Sequence, residues 1–465
     1  MAATAHDEVS EGRRGARASA GDGQGLPPGP RAPAIVQTLV WAVAPTWLMR
    51  RYAKRLGEAF TVTFAPSGLK LVLVSDPEAV KAVFTAPPDV APSAAGSSPV
   101  APIVGGSSVL VLTGPEHMRQ RKLLLPPFHG ERMREYEDVI VEATRRDMAG
   151  WQLDTPMRLQ EHTRAITLEV ILRAVFGVEA ERMGPLGDAV GSLLAPAQTL
   201  TLLRFALRRN TAQLPSGEIA QTLKRLDGLI YEEIARRRGQ SDLGERSDIM
   251  SLLLQARDED GQAMTDRELR DELVTLLLAG HETTATSVAW AIERLVRHPQ
   301  KLARLMAEVD SGGEDEYMSA VVNETLRVRP VVPIVVRLLQ EDLQVGARRL
   351  PAGTRVAPSI YLTNRNPRVY ERAEEFRPER FLGNAPETFS WIPFGGGIRR
   401  CIGASFALLE MKLILRTMLS ELEPQLPPQT RGWRKGEWNR RRAVTLVPVA
   451  GARVVWERRS GRTAG

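Results

Sequence analysis

Cys401 is the only cysteine in this 465-residue chain, and its surroundings give it chemistry. It lies in Phe394-Gly395-Gly396-Gly397-Ile398-Arg399-Arg400-Cys401-Ile402-Gly403, where a glycine-rich turn feeds a helical pattern. Backbone N–H groups at a helix start lack intrahelical partners, and the helix dipole favours negative charge there. Both effects predict a thiol shifted toward thiolate. Glycines let the backbone approach a flat ligand, and Arg399 supplies a cation for a carboxylate. Three blander readings compete. A lone cysteine is commonly a small buried hydrophobe. A glycine-rich turn before a helix can cradle phosphate, but this one lacks the Lys-Ser/Thr ending of a P-loop. A nucleophilic cysteine needs a partnered histidine, and none is near in sequence.

Two further groups stand out. Ala279-Gly280-His281-Glu282-Thr283-Thr284 sits inside a long helical pattern, just after Leu276-Leu277-Leu278. A mid-helix threonine can divert a backbone hydrogen bond and admit water. Taken alone, an acid and a threonine mid-helix are more simply a solvated face. Glu324 and Arg327 are spaced i, i+3 and can pair on a helix, which at a surface contributes little.

The cysteine segment resembles the haem-binding signature of the cytochrome P-450 superfamily: Phe394, Gly397, Arg399, Cys401 and Gly403 match, and Ala407 matches a common extension. The resemblance implies haem b with Cys401 as the axial thiolate, which favours O–O cleavage. It also implies Arg399 on a haem propionate, Phe394 shielding the sulfur, and the Ile402 and Gly403 amides donating to it. Ala279 through Thr284 resembles the family's oxygen-activation motif. The small pair Ala279-Gly280 would leave room for a diatomic ligand, with Glu282 and Thr283 relaying protons. The family buries a Glu-Arg pair with a third arginine, which places Glu324 and Arg327 with Arg380 of Phe376-Arg377-Pro378-Glu379-Arg380-Phe381. Further propionate contacts fall on Arg121, on His117 in place of the family's usual Trp, and on Arg337. Asn364 stands where many relatives have His, and the link from Asp310 to Tyr317 is short.

The implied reaction is reductive activation of O2, with insertion of one oxygen atom into a C–H or C=C bond of a hydrophobic small molecule: a lipid, terpenoid or steroid-like compound. A peroxide-driven or isomerase-type haem-thiolate enzyme, or a haem-binding sensor without turnover, are the alternatives. One cysteine excludes an intramolecular disulfide, a cysteine-based zinc site and a four-cysteine iron–sulfur cluster. Electrons must then come from a separate ferredoxin- or flavodoxin-type protein with its reductase. The net charge is +7 and the arginines are dispersed. That disfavours nucleic acid and suits an acidic partner at Lys122, Arg132, Arg134 and Arg400. Cysteine usage and the lack of a signal-like segment lead us to expect a cytoplasmic protein without a transmembrane anchor.

The elements that must position these residues are mainly helical, with a small split β region, as expected for a P-450 fold with the haem between the long helix and the cysteine loop. Residues 1–25 read as a disordered tail and 26–465 as one catalytic domain. Ala34 to Leu48 reads as an amphipathic helix packing on the fold, with peripheral membrane contact a lesser reading. Phe60–Phe64 and Lys70–Val74 read as strands around Pro66-Ser67-Gly68, and Asp76 caps the next helix. Residues 86–114 read as a long loop. Helical periodicity follows from Gly130 to about Met306, with breaks near 185, 213 and 240. The capping box Thr265-Asp266-Arg267-Glu268 opens a helix that stops at His298-Pro299, about 50 Å at 1.5 Å per residue. Another helix spans about Glu316 to Val328, short strands fill 335–363, and helix resumes after Cys401 to about Glu421. A substrate pocket is expected from residues 87–112, 185–213, Thr275 to Thr283 and Val332 to Val336.

Overall fold

A computed structural model of the chain describes residues 25–94, 101–130, 132–177, 180–193, 217–430 and 436–459. The expected tail, the break near 213 and part of the pocket wall lie outside them. Fifteen helices are described: α1 Ala34–Val43, α2 Pro45–Leu56, α3 Pro77–Thr85, α4 Ala101–Val104, α5 Gly114–Leu124, α6 Arg132–Met148, α7 Leu159–Phe176, α8 Ala180–Leu193, α9 Glu218–Arg238, α10 Ile249–Gln255, α11 Asp266–Leu295, α12 Pro299–Ser311, α13 Glu316–Val328, α14 Ile360–Thr363 and α15 Ala404–Glu421.

α11 is the axis of the molecule. Its N-terminus is fixed by the expected capping box: the Thr265 hydroxyl accepts from Glu268 N, and the Glu268 carboxylate accepts from Thr265 N at 2.8 Å. Most residues from Leu269 to Leu295 are buried, because α7, α13 and α15 pack around it and share one hydrophobic core with it. The C-terminal end stops before Pro299, whose missing N–H suits the first turn of the next helix.

The β region splits into small sheets. The largest has the order β1 (Ala59–Phe64), β2 (Leu69–Val74), β7 (Arg355–Pro358), β4 (Arg337–Leu338). β1 and β2 form the expected hairpin, and β2 runs parallel to β7. β3 (Met157–Arg158), β8 (Leu422–Gln425) and β11 (Arg453–Arg458) form a second sheet in the order β3-β11-β8, and β5 (Leu343–Val345) pairs with β6 (Arg348–Leu350). β9 (Asn439–Arg442) and β10 (Thr445–Pro448) make a hairpin whose tip reaches α11. Asp76 caps α3 through Ala79 N at 3.1 Å.

Four expectations change. The apolar N-terminal helix is two helices, α1 and α2, because Pro45 opens a new one. α8 runs through Pro185, so the expected break there is absent; a proline removes one backbone hydrogen bond without forcing a stop. The long loop contains α4. The expected strand region ends in the helical turn α14, capped by Ser359. The ends of α9 at Arg238 and of α13 at Val328 fall where periodicity placed them.

Candidate haem-thiolate site

The cysteine loop is folded by its own backbone. Gly395 N donates to Ile392 O, Arg400 N to Gly397 O, and Cys401 N to Phe394 O, each at 3.0 Å. Gly395 and Gly397 have φ of 69° and 67°, a region that favours glycine. A Cβ on Gly396 or Gly397 would run into the Phe84 ring or carbonyl. Those glycines therefore seat the loop against the end of α3. Phe394 packs edge-to-face on Trp391 at 5.9 Å, and Trp391 Nε1 donates to Asn323 O on α13.

Cys401 keeps accessible surface, yet the protein packed around it makes burial the largest influence on its thiol and pushes the pKa up. The Gly403 N–H, Arg121 and Arg400 oppose the rise without reversing it. The sequence predicted a lowered pKa from a helix start. In the structure α15 begins only at Ala404, and the N–H of its N-cap Gly403 acts on the thiol but does not outweigh burial. A thiolate here requires a metal, which ionises a coordinating thiol outright.

Around Cys401 gathers a set of cations. His117, Arg337 and Arg399 line one cleft with Phe84 and Gly396. His117 has its pKa lowered to about 4 by burial and by Arg399, Arg121 and Arg337, and its Nδ1 is buried without a partner. Arg399 is lowered to about 10 by burial and by Arg337 and Arg121. Arg337 is lowered to about 10 by burial. Among the described residues no Asp or Glu acts on any of these three arginines. Arg399 donates to the backbone carbonyls of Val109 and Leu112. Mutually repelling buried cations with an orphaned imidazole nitrogen lack a counter-charge. A flat group carrying two carboxylates and a thiolate-binding metal fits this donor set.

α11 presents a divided face. Ala279 is exposed, and one turn on the Thr283 hydroxyl donates to Ala279 O at 2.7 Å. Gly280 faces elsewhere: a Cβ on it would lie 2.9 Å from Ile171 Cδ1 on α7. Its smallness thus serves the packing of α7 on α11. Glu282 is buried and ion-paired to Arg164 at 3.0 Å and Arg442 at 3.4 Å. Burial raises its pKa, and the two arginines pull the other way. His281 is buried against Thr167 and held neutral, its pKa lowered to about 3 chiefly by burial.

The triad assembles. Arg327 bonds Glu324 through Nε at 2.7 Å and Nη2 at 2.8 Å, both side chains fully buried, and Arg380 Nε reaches Glu324 at 3.1 Å. Arg327 also donates to Asn364 O, Ala373 O and Glu375 O. Asn364, fully buried, accepts from Ile392 N at 3.0 Å and so joins this network to the cysteine loop.

Sequence reasoning missed five residues. Arg164 and Arg442 are distant in sequence from the Glu282 they hold. Asp271 and Glu272 of α11 accept from Ser107 N and Val109 N, fastening the segment that Arg399 also grips. Glu410 on α15 is wholly buried, both oxygens lack a partner, and burial raises its pKa to about 8; nearby Thr284 offsets little of this. A lone acid in the apolar run of α15 was the available signal.

A family model for cytochrome P450 matches residues 27–451. Cytochrome P450 137 of Mycobacterium tuberculosis is 41% identical over 448 residues, covering 94% of this chain and 92% of its own. Cytochrome P450 135B1 of Mycobacterium bovis is 39% identical over 438 residues, covering 92% and 91%. Among solved structures, a retinoic acid-bound cyanobacterial CYP120A1 superposes with a TM-score of 0.80 at 22% identity over 94% of this chain and all of that one, which shows the fold. The chain belongs to the cytochrome P450 family. Its class is therefore that of haem-thiolate monooxygenases, and its cofactor is haem b. Among the described residues no helix is long and apolar enough to cross a membrane.

Proposed function

We propose that this chain, from Leu26 onward as one catalytic unit, hydroxylates or epoxidises a hydrophobic small molecule of lipid, terpenoid or steroid-like type, with electrons from a ferredoxin- or flavodoxin-type protein in the cytoplasm. Cys401 would bind the haem iron through its sulfur, Arg121, Arg337 and Arg399 would neutralise the propionates, and His117 would donate a hydrogen bond to them. When bound, haem supplies the chemistry of O2 activation.

The chain's own residues do the rest. Gly403 N–H and Arg121 stabilise negative charge on the Cys401 sulfur. Thr283 donates its proton to Ala279 O, which leaves the hydroxyl oxygen free to accept from a water and hold it above Ala279. Glu282 is positioned to refill that water with protons: burial keeps its pKa above the usual carboxylate range, and releasing Arg164 and Arg442 lets it turn. The pocket character rests on Leu110, which is 40% exposed, on exposed Ala279, and on partly buried Val332 and Val335. Such apolar walls exclude water and favour an apolar substrate. For the partner, Lys122 is occupied by Glu259 at 2.7 Å, whereas Arg134 and Arg400 are exposed and suit an acidic surface.

The observation that carries this reading is the gathering of Arg121, Arg337 and Arg399, with no acid acting on them, and of the neutral, unpartnered His117 at the site of the single cysteine. The test is a substrate screen by haem spin-state shift on the holoprotein, followed by product analysis with NADPH and surrogate redox partners. We expect apolar ligands to shift the spin state and to be oxygenated. Turnover with peroxide but none with NADPH and partners would overturn the electron-transfer half. Cys401→Ser should lose the red-shifted Soret band of the reduced carbon monoxide complex; its retention would overturn the ligand assignment.

A further inference from the structure

α1 is a ten-residue helix, AIVQTLVWAV, without a charged side chain. Its inner face is Gln37 and Trp41, where Trp41 packs on the core beneath. Gln37 Oε1 accepts from Thr63 N, and Thr38 Oγ1 from Ala65 N, so α1 is pinned to the β1–β2 hairpin. The opposite face carries Ile35, Val36, Leu39 at 59% exposure and Val43 at 75%. Large apolar side chains at i, i+4 and i+8 on the outside of a pinned helix form a stripe rather than scattered exceptions.

A further exposed apolar side chain follows in the first turn of α2. Trp47, 54% exposed, follows four residues after Val43. Trp438 is 77% exposed, and its neighbour Asn439 meets the Thr46 hydroxyl at 3.1 Å, so both tryptophans adjoin the contact between α2 and β9. One turn beyond Trp47 the surface becomes cationic. Arg51, Lys54 and Arg55 are all exposed on α2. Ten uncharged residues with an apolar outer face are thus bordered by tryptophans and then by cations.

We propose that α1, Trp47 and Trp438 dock this enzyme in the plane of an anionic lipid bilayer surface, with Arg51, Lys54 and Arg55 on the headgroups. The apolar stripe sinks among the acyl chains. Tryptophan suits the boundary, with an apolar body and a polar N–H, and the cations match headgroup charge. Ten residues reach about 15 Å, so the helix lies on the membrane rather than through it. Other occupants fit less well. A second copy paired about a twofold axis would set the same cationic row against itself. An acidic protein would match the cations but not α1. Residues 1–24 have only Met1 and Val9 as large apolar side chains, so that segment offers no apolar cover.

The test is flotation of the holoprotein with vesicles of phosphatidylcholine alone or with phosphatidylglycerol added. We expect binding to the anionic vesicles, weakening as salt rises, with tryptophan fluorescence quenched by brominated acyl chains. Leu39→Glu with Val43→Glu, and separately Arg51→Glu with Lys54→Glu and Arg55→Glu, should each weaken binding by roughly tenfold or more, with the carbon monoxide spectrum unchanged. If the apolar pair variant loses its haem, the charge reversals and the salt titration decide. No flotation, variants that float as well as the parent, or a concentration-dependent dimer that Val43→Glu dissociates would each overturn the proposal.

Discussion

Cys401, Arg327 and Asn364 show how much a single side chain here depends on what surrounds it. The Cys401 thiol alone is pushed up by burial, so its ionisation belongs to the metal-bound protein. Arg327 is the reverse case, a cation whose every direction is filled by Glu324 and three carbonyls, with the Tyr370 ring 4.8 Å from its guanidinium. A buried pair of this kind adds little net stability, but breaking it strands a charge. Arg327→Met should therefore cost about 3–5 kcal/mol of unfolding free energy, read from denaturant melts. A smaller loss would mean that Glu324 finds a substitute in Arg380.

At the level of elements, the packing of α7 on α11 positions Thr283. Gly280 lets the helices approach, and Ile171 occupies the room that a side chain would need. Gly280→Ala forces Ile171 Cδ1 aside and should cost about 1–3 kcal/mol despite the better helix propensity of alanine. Ile171→Val removes that methyl and should recover part of the loss in the double variant; thermal melts of the four proteins give the coupling. The segment 107–112 is likewise an element held from two sides, by Asp271 and Glu272 of α11 and by Arg399 of the cysteine loop. Substrate-side and cofactor-side structure are thereby joined through one stretch of backbone.

Two buried acids bear on the stability of the whole molecule through their protons. Glu410 and Glu272 both have pKa values raised to about 8, mainly by burial. In the unfolded chain each titrates near 4.5, so between about pH 4.5 and 8 the folded protein keeps protons that the unfolded chain releases. Stability should fall as pH rises through that window, by up to about 1.4 kcal/mol per pH unit for each group. Below the window both states hold the proton and the dependence levels off. Glu410→Gln lacks that loss, so its stability relative to the parent should climb from pH 5 toward pH 8. Parallel pH profiles of the two melting temperatures would sink this account.

The family resemblance supplied Arg380, but the sequence by itself determined the cysteine motif, the capped long helix, the β1–β2 hairpin and the Glu324–Arg327 pair. Those signals are local: fixed spacings, a cap box, alternation, or residues within a turn of each other. Tertiary structure alone decided that Arg164 and Arg442 hold Glu282, that Gly280 serves Ile171, and that Asn364 ties the triad to the cysteine loop. It also reversed the expected shift of the thiol and showed the outer face of α1 left bare. Each of these depends on which distant surface arrives beside a residue and on how much water it displaces. A single chain's spacing carries neither quantity, whereas packing at native density fixes both.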